Sequence, residues 1–194
     1  MDSIYGEQRA QLEKTKDRLL AEIDRIRAEI GAATGMDPVE HTLGRIKSEE
    51  SMREKCRRKG LPETEESALG VIRDAIGMRI VCAFLDDVYE MRNALAALPF
   101  LEIVEEKDYI RHAKPNGYRS LHLIIRVDGR YFAEIQLRTI SMDTWAALEH
   151  HMKYKKGLGG NLALITSELK RCADELASTD ASMQTIRDMI RTMG

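Results

Sequence analysis

KDYIRHAKPNGYRSLHLIIRVDGRYFAEIQLR, residues 107–138, decides the fold. A loop rich in cations and aromatics runs into an alternating segment, a tight turn and a second alternating segment. Leu121, Leu123, Ile125 and Val127 take one face of the first strand; His122, Ile124 and Arg126 take the other. In the second strand Tyr131, Ala133, Ile135 and Leu137 alternate with Arg130, Phe132, Glu134, Gln136 and Arg138. Period-two patterning marks half-buried strands, and Asp128-Gly129 is a hairpin turn signal. A two-residue turn would pair Val127 with Arg130 and put Leu123 on the same face as Glu134, which a sheet packed on a core does not tolerate. A loop of Val127, Asp128 and Gly129, with Gly129 left-handed in a bulge, instead pairs Arg126 with Arg130. His122 then stands opposite Glu134 and Ile124 opposite Phe132, and His122, Glu134, Gln136 and Arg138 share one face. That face is either the floor of an active site or the solvated side of an antiparallel sheet.

The 194 residues suffice for one domain with helical extensions. With 43% hydrophobic and 32% charged residues the chain is globular. A net charge of −2 argues against a general nucleic-acid coat protein, so RNA binding is not indicated by charge. Cys56, Cys82 and Cys172 have no metal-ligand spacing and read as reduced thiols. No apolar run approaches membrane-spanning length, and the expected location is the cytosol.

Residues 3–30 read as a charged amphipathic helix with Leu19, Ile23, Ile26 and Ile30 as its apolar stripe, ended by Gly31 and Gly35. Ser48 fits the N-cap of a second helix that Gly60 ends, and Glu49 and Glu50 suit its positive end. A short helix carrying Val71 and Ile72 precedes a largely apolar strand, MRIVCAFL, from Met78. Asp86 or Asp87 caps a helix to about Leu98, and residues 101–104 form another strand. After the hairpin, SMDTWAALEHHMKYKK reads as a helix with Trp145 and Leu148 on its apolar side. The glycines at 157, 159 and 160 break the chain before two last helices, 162–177 and 181–193. Strands and helices mix without regular alternation, which predicts an α+β fold with a small mixed sheet flanked by helices. The expected organisation is an N-terminal helical extension (1–36), a central domain (37–156) and C-terminal helices (157–194).

Several clusters carry chemistry. Arg45, Lys47, Lys55 and Arg58 bracket the start and one face of the second helix and could clamp a polyphosphate, although taken alone the cluster reads more readily as a solvated basic helix. Asp74, at the edge of the apolar strand beside Gly77, is a reasonable Mg²⁺ ligand, with Glu134 as its partner if their strands are neighbours. In KPNGYRS, Asn116-Gly117 is a turn that presents Tyr118 between Lys114 and Arg119, as a stacking platform or as a buried ring.

RIKSEESMREK from Arg45, DAIGMR from Asp74, KDYI from Lys107, KPNGYRSLH from Lys114, EIQLRT from Glu134 and WAALEHHMKYK from Trp145 occur in that order. Together they resemble the synthetase domain of the RelA/SpoT family over residues 40–156, and the flanking helices resemble those of the single-domain small alarmone synthetases. The resemblance implies a nucleotidyltransferase-like fold and transfer of pyrophosphate from ATP to the 3′-hydroxyl of GTP or GDP, giving AMP and pppGpp or ppGpp, with no hydrolase module. It implies that Arg45 and Arg79 sandwich the adenine and that Lys47, Ser51, Lys55 and Arg58 hold the ATP phosphates. Asp74 and Glu134 would bind Mg²⁺, with Glu134 also the candidate base. Tyr118 would stack on guanine, while Lys107, Tyr109, Lys114, Asn116, His122 and Gln136 orient the acceptor. A homotetramer is implied too. In one branch an aromatic and an amide bind pppGpp as an effector; His41 and Asp143 stand here instead, and weak effector binding is expected. Two other readings are a relative that pyrophosphorylates the tRNA 3′ end and a non-catalytic RNA-binding regulatory module.

Overall fold

Five strands, β1 (Val39–Ile46), β2 (Ile76–Cys82), β3 (Leu101–Asp108), β4 (Leu121–Val127) and β5 (Tyr131–Thr139), form one mixed sheet in the order β1-β2-β5-β4-β3. The helices are α1 (Arg9–Thr34), α2 (Glu49–Arg58), α3 (Leu85–Ala96), α4 (Ile140–Lys153) and α5 (Leu162–Met193). This is a computed structural model, and it describes residues 3–153 and 162–193. The α+β class with a helix-flanked mixed sheet is as the sequence predicts. Among the described residues, no helix is long and apolar enough to cross a membrane.

Alternation places the core. Leu121, Leu123, Ile125 and Val127 of β4, Ala133, Ile135 and Leu137 of β5, and Met78, Ile80 and Cys82 of β2 are all buried on one face. The apolar stripe of α1 (Leu19, Ile23, Ile26, Ile30) joins Val88, Met91 and Leu95 of α3 in the same core. Burying a side chain of this size contributes roughly 1.5–3 kcal/mol, so these two helices account for much of the sheet's stability. The opposite face, polar in sequence, is left for other work.

The sequence reading needs correction at several points. Residues 39–46, left without an assignment, form strand β1, because pairing with β2 supplies the hydrogen bonds that their own alternation does not advertise. Strand β2 stops at Cys82 rather than continuing to Leu85, which opens α3; the Asp87 carboxylate accepts from the Phe84 N–H at 2.9 Å, so Asp87 caps backwards from inside the helix. Strand β3 runs on to Asp108. Leu148 faces outward, 56% exposed, while Trp145 is buried. The two last helices are one, α5. Ser178, Thr179 and Asp180 suggest a cap, but Thr179 bonds back to the Glu175 carbonyl and Asp180 accepts from Thr139, so the helix runs through. The glycines at 157, 159 and 160 lie outside the described residues.

The hairpin register also differs. Val127 pairs with Tyr131 and Arg126 with Phe132, so the three-residue loop is 128–130, one position later than expected. His122 faces Gln136 and Ile124 faces Glu134. A shift of two in pairing keeps every side chain on its face, so the shared face of His122, Glu134, Gln136 and Arg138 stands. Asp128 (φ +49°) and Gly129 (φ +67°) both take positive φ, with the Arg130 N–H closing the turn on the Val127 carbonyl at 2.9 Å. A valine at 129 meets no neighbour, so only its backbone is strained. Gly129→Val is therefore expected to lower stability by about 1–3 kcal/mol, measured by denaturant unfolding. A change within about 0.5 kcal/mol would mean that the loop adopts another conformation.

Candidate active site

The parallel pair β2 and β5 builds the centre of the polar face. Gly77 pairs with Glu134 and Arg79 with Gln136, while Arg45 on β1 pairs with Gly77 from the other side. The ladder extends one step beyond β1, where the Lys47 N–H bonds to the Ala75 carbonyl at 2.9 Å. That step brings the Lys47 side chain to Asp74, just before β2. Arg45, Lys47, Asp74, Arg79, Glu134 and Gln136 thus line a single cavity of about 340 Å³.

Asp74 is the electrostatic hub. Its Oδ2 takes the ammonium of Lys47 and, at 2.5 Å, that of Lys55, one turn beyond Ser51 on α2. Burial pushes the Lys47 ammonium pKa down, against the pull of Asp74. Asp74 Oδ1 is buried without a hydrogen-bond partner. An orphaned carboxylate oxygen normally costs about 1–3 kcal/mol, and here it points to a missing ligand. Two carboxylates are what a Mg²⁺ ion completing its shell with water and phosphate oxygens requires, so Asp74 and Glu134 fit that ion. Ser48 caps α2, accepting from the Ser51 N–H at 3.3 Å. The Ser51 hydroxyl bonds Ser48, and Arg58 is exposed at the far end of α2; neither lines the cavity.

A second group gathers around Tyr118. Arg138 donates to the Tyr118 hydroxyl at 2.8 Å, and that hydroxyl lies 2.7 Å from His122 Nε2. The other ring nitrogen, Nδ1, faces Glu134 Oε1 at 3.4 Å, so the imidazole stands between the tyrosine hydroxyl and the carboxylate. Gln136 bridges in parallel, donating to Glu134 and accepting from Arg138. The Lys114 ammonium stands 4.4 Å from the Tyr109 ring centre and 4.9 Å from that of Tyr118. Lys107 pairs across the sheet with His122 and salt-bridges Glu105 at the exposed rim. The Asn116 side chain is engaged at both ends, accepting from the Tyr118 N–H and donating to the buried Glu149, so in this structure it shapes the loop.

Two features escaped sequence reading. Arg138 is buried and ties Tyr118, Gln136 and Asp143 together. Asp143, on the first turn of α4, meets Arg138 at 2.9 Å, Arg79 at 3.2 Å and His41 at 3.9 Å. Only the strand-to-helix geometry after Thr139 brings these partners together, and no spacing signals it. The loop is held from outside as well. Gly117 (φ +90°) lies so close to α5 that a Cβ there would stand 2.6 Å from that of Ala173. Arg119 donates to the Gly117 and Ala173 carbonyls and to Asp174.

Interaction with His122 is the largest influence on the Glu134 carboxyl, whose pKa falls to about 2 from an ordinary 4.5, with burial opposing. A depressed carboxyl pKa stabilises the fold above its unfolded value, and that contribution is lost as pH falls from about 4.5 toward 2. In a carboxyl NMR titration Glu134 should have its midpoint near 2, rising toward 4.5 in His122→Gln. A midpoint near 4.5 in the unaltered protein would sink the His122–Glu134 contact.

Residues 44–158 match the family model described as "Region found in RelA / SpoT proteins". The chain is 41% identical over 179 residues to GTP pyrophosphokinase YwaC of Bacillus subtilis (strain 168), covering 88% of this chain and 84% of that protein. It is 35% identical over 162 residues to GTP pyrophosphokinase YjbM of the same organism, covering 79% and 74%. Among solved structures, small alarmone synthetase 2 from Bacillus subtilis superposes with a TM-score of 0.80 at 40% identity, covering 93% of this chain and 96% of that one. Small alarmone synthetase 1 from Bacillus subtilis, bound to its product pppGpp, superposes with a TM-score of 0.79 at 30% identity, covering 92% and 94%.

Proposed function

The chain belongs to the RelA/SpoT family, and from that premise we propose that it is a (p)ppGpp synthetase, a GTP pyrophosphokinase of the synthetase-only type. The acceptor's 3′-oxygen bonds to the β-phosphorus of ATP, the bond from that phosphorus to the oxygen bridging it to the α-phosphorus breaks, AMP leaves with that oxygen, and the hydroxyl proton is released to solvent. GTP or GDP as acceptor gives pppGpp or ppGpp. The observation that carries this reading is that Asp74 and Glu134, from two adjacent parallel strands, line one cavity, with Lys47 and Lys55 both on Asp74.

On this reading Arg45 and Arg79 flank the adenine at the cavity mouth, and Lys47 and Lys55 turn from Asp74 to the phosphates. Ser51 and Arg58 continue the same helical stripe toward the phosphate tail. Transfer between two anions needs charge neutralisation and alignment more than covalent chemistry. Asp74 and Glu134 would hold Mg²⁺, which when bound neutralises phosphate charge and acidifies the attacking hydroxyl. Glu134, with its carboxyl near 2, is a poor base and serves the 3′-hydroxyl as a hydrogen-bond acceptor. Tyr118, its hydroxyl pinned by Arg138 and His122, offers its ring to guanine, a contact worth about 1–3 kcal/mol. Lys107, Tyr109, Lys114, His122 and Gln136 surround the acceptor, and Asn116 holds their loop in shape.

Nucleotide release from ATP with GTP, GDP or tRNA tests the reading: AMP and pppGpp or ppGpp are the expected products, and AMP formed only with tRNA would refute it. Asp74→Asn and Glu134→Gln should each lower turnover by at least about a hundredfold with the melting temperature little changed, since each removes a metal ligand. Near-normal turnover at saturating nucleotide would overturn the assignment.

A cytoplasmic location and self-association complete the proposal. Cys56, Cys82 and Cys172 are all free thiols, in keeping with a reducing compartment. Met183, Ile186, Met189 and Ile190 on α5 are exposed, as are Leu148 and Met152 on α4; such apolar faces favour closed symmetric self-association, and the likeness to small alarmone synthetases favours a homotetramer. Light scattering at micromolar protein should give the tetramer mass; a monomer there would rule it out.

A further inference from the structure

We propose that Asp143 is a positioning residue that serves both nucleotide subsites at once, by holding Arg79 and Arg138 on one carboxylate oxygen. The inference rests on the synthetase reading above and goes beyond it, because Asp143 touches neither nucleotide's reacting atoms. Its Oδ1 receives Arg138 Nη1 at 2.9 Å and Arg79 Nη1 at 3.2 Å. Arg79 lies on the donor side, beside Arg45 and Gln136 in the cavity. Arg138 lies on the acceptor side, holding the Tyr118 hydroxyl at 2.8 Å and the Gln136 carbonyl oxygen at 2.9 Å.

Among the described residues, Asp143 is the carboxylate that pairs with both arginines. Arg79 Nε and Arg138 Nε are both buried with no hydrogen-bond partner, so each guanidinium is located through its terminal nitrogens. For Arg79, Asp143 is the only ion-pair partner among the described residues. The two guanidiniums also repel. Burial and then the neighbouring Arg138 charge push the Arg79 pKa down, and Asp143 is the carboxylate that opposes them. His41, 3.9 Å from Oδ2, flanks the carboxylate from β1. Removing the shared acceptor leaves two like charges side by side, and each swings away from the geometry its nucleotide needs. A residue serving one subsite would affect one nucleotide. Asp143 is placed to affect both.

Isothermal titration of a non-hydrolysable ATP analogue and of GTP, each alone with Mg²⁺, tests this on the full chain. Asp143→Ala should weaken each nucleotide by roughly three- to tenfold, the loss expected for one charge-assisted hydrogen bond. Asp143→Asn keeps an acceptor oxygen without the charge and should fall between the unaltered protein and Asp143→Ala for both nucleotides. It also serves as the test should the alanine variant fail to fold. Melting temperature is read alongside: a lowered value with both affinities unchanged would make Asp143 purely structural and overturn the proposal. So would a loss confined to one nucleotide, or tighter binding of either, which would mark Asp143 as a competitor for phosphate. If the unaltered protein binds neither nucleotide, the synthetase reading itself fails, a result distinct from unaltered affinities in the variants.

Discussion

Everything at the site depends on β2 and β5 running parallel and adjacent. Parallel neighbours present their starts at the same end, so Asp74, just before β2, lines the same cavity as Glu134 in the first half of β5. An antiparallel pairing of the same strands would put these carboxylates at opposite ends of the sheet. A parallel pair also requires a long crossover, and here that connection contains α3 and the β3–β4 hairpin partner strands. The same connection therefore supplies Lys107, Tyr109, Lys114, Tyr118 and His122 to the polar face beside Glu134 and Gln136. One topological choice brings these groups together.

Charges gathered this closely must be balanced, because an uncompensated charge in a half-buried site is costly. Asp74 is balanced by Lys47 and Lys55 and the Arg79–Arg138 pair by Asp143, while Glu134 faces His122 Nδ1 and accepts from Gln136. Contacts run unbroken from Arg79 through Asp143, Arg138, Tyr118 and His122 to Glu134. Such a network fixes dipoles before substrate arrives, which is how electrostatic preorganisation reduces the reorganisation that transfer between anions would otherwise require. A chain with a net charge of −2 can thus present a concentrated cationic site. Whole-chain charge is a poor guide to what a pocket will bind.

What was legible in the sequence follows the same physics. Period-two alternation assigned residues 121–138 to their faces correctly, because face depends only on parity. It could not set the register, since pairings two residues apart leave every side chain on the same face. Turn chemistry alone decides between them, and Asp128 taking positive φ with Gly129 was not foreseen. Strand β1 escaped because Gly44 and Arg45 interrupt its apolar pattern. Yet Gly44 is there because a Cβ would stand 3.0 Å from the Met78 sulfur, and Arg45 because it lines the cavity. Asp74 and Glu134 could be named as a pair only conditionally, since adjacency of their strands is a tertiary fact. Leu148 was placed on the apolar side of its helix by spacing that a single chain does not cover.

The C-terminal helix shows how far the site's mechanics extend beyond its motifs. Helix α5 lies past the residues matched to the family, yet it holds the loop that carries Tyr118: Gly117 packs on Ala173, Arg119 on Asp174, and Trp145 donates to the Leu169 carbonyl at 2.9 Å. Further along, Arg187 is buried against Asp86 and Asp87 at the start of α3, which fastens the same helix to the core. Between these two anchor points the helix runs without a break, as a rod roughly 48 Å long overall. Most of its exposed large apolar residues, from Met183 to Met193, lie around the second anchor, with Leu164 at the opposite end. The glycine that sets the Tyr118 loop is therefore seated on a helix whose own position is fixed at Ala173 and again at Arg187.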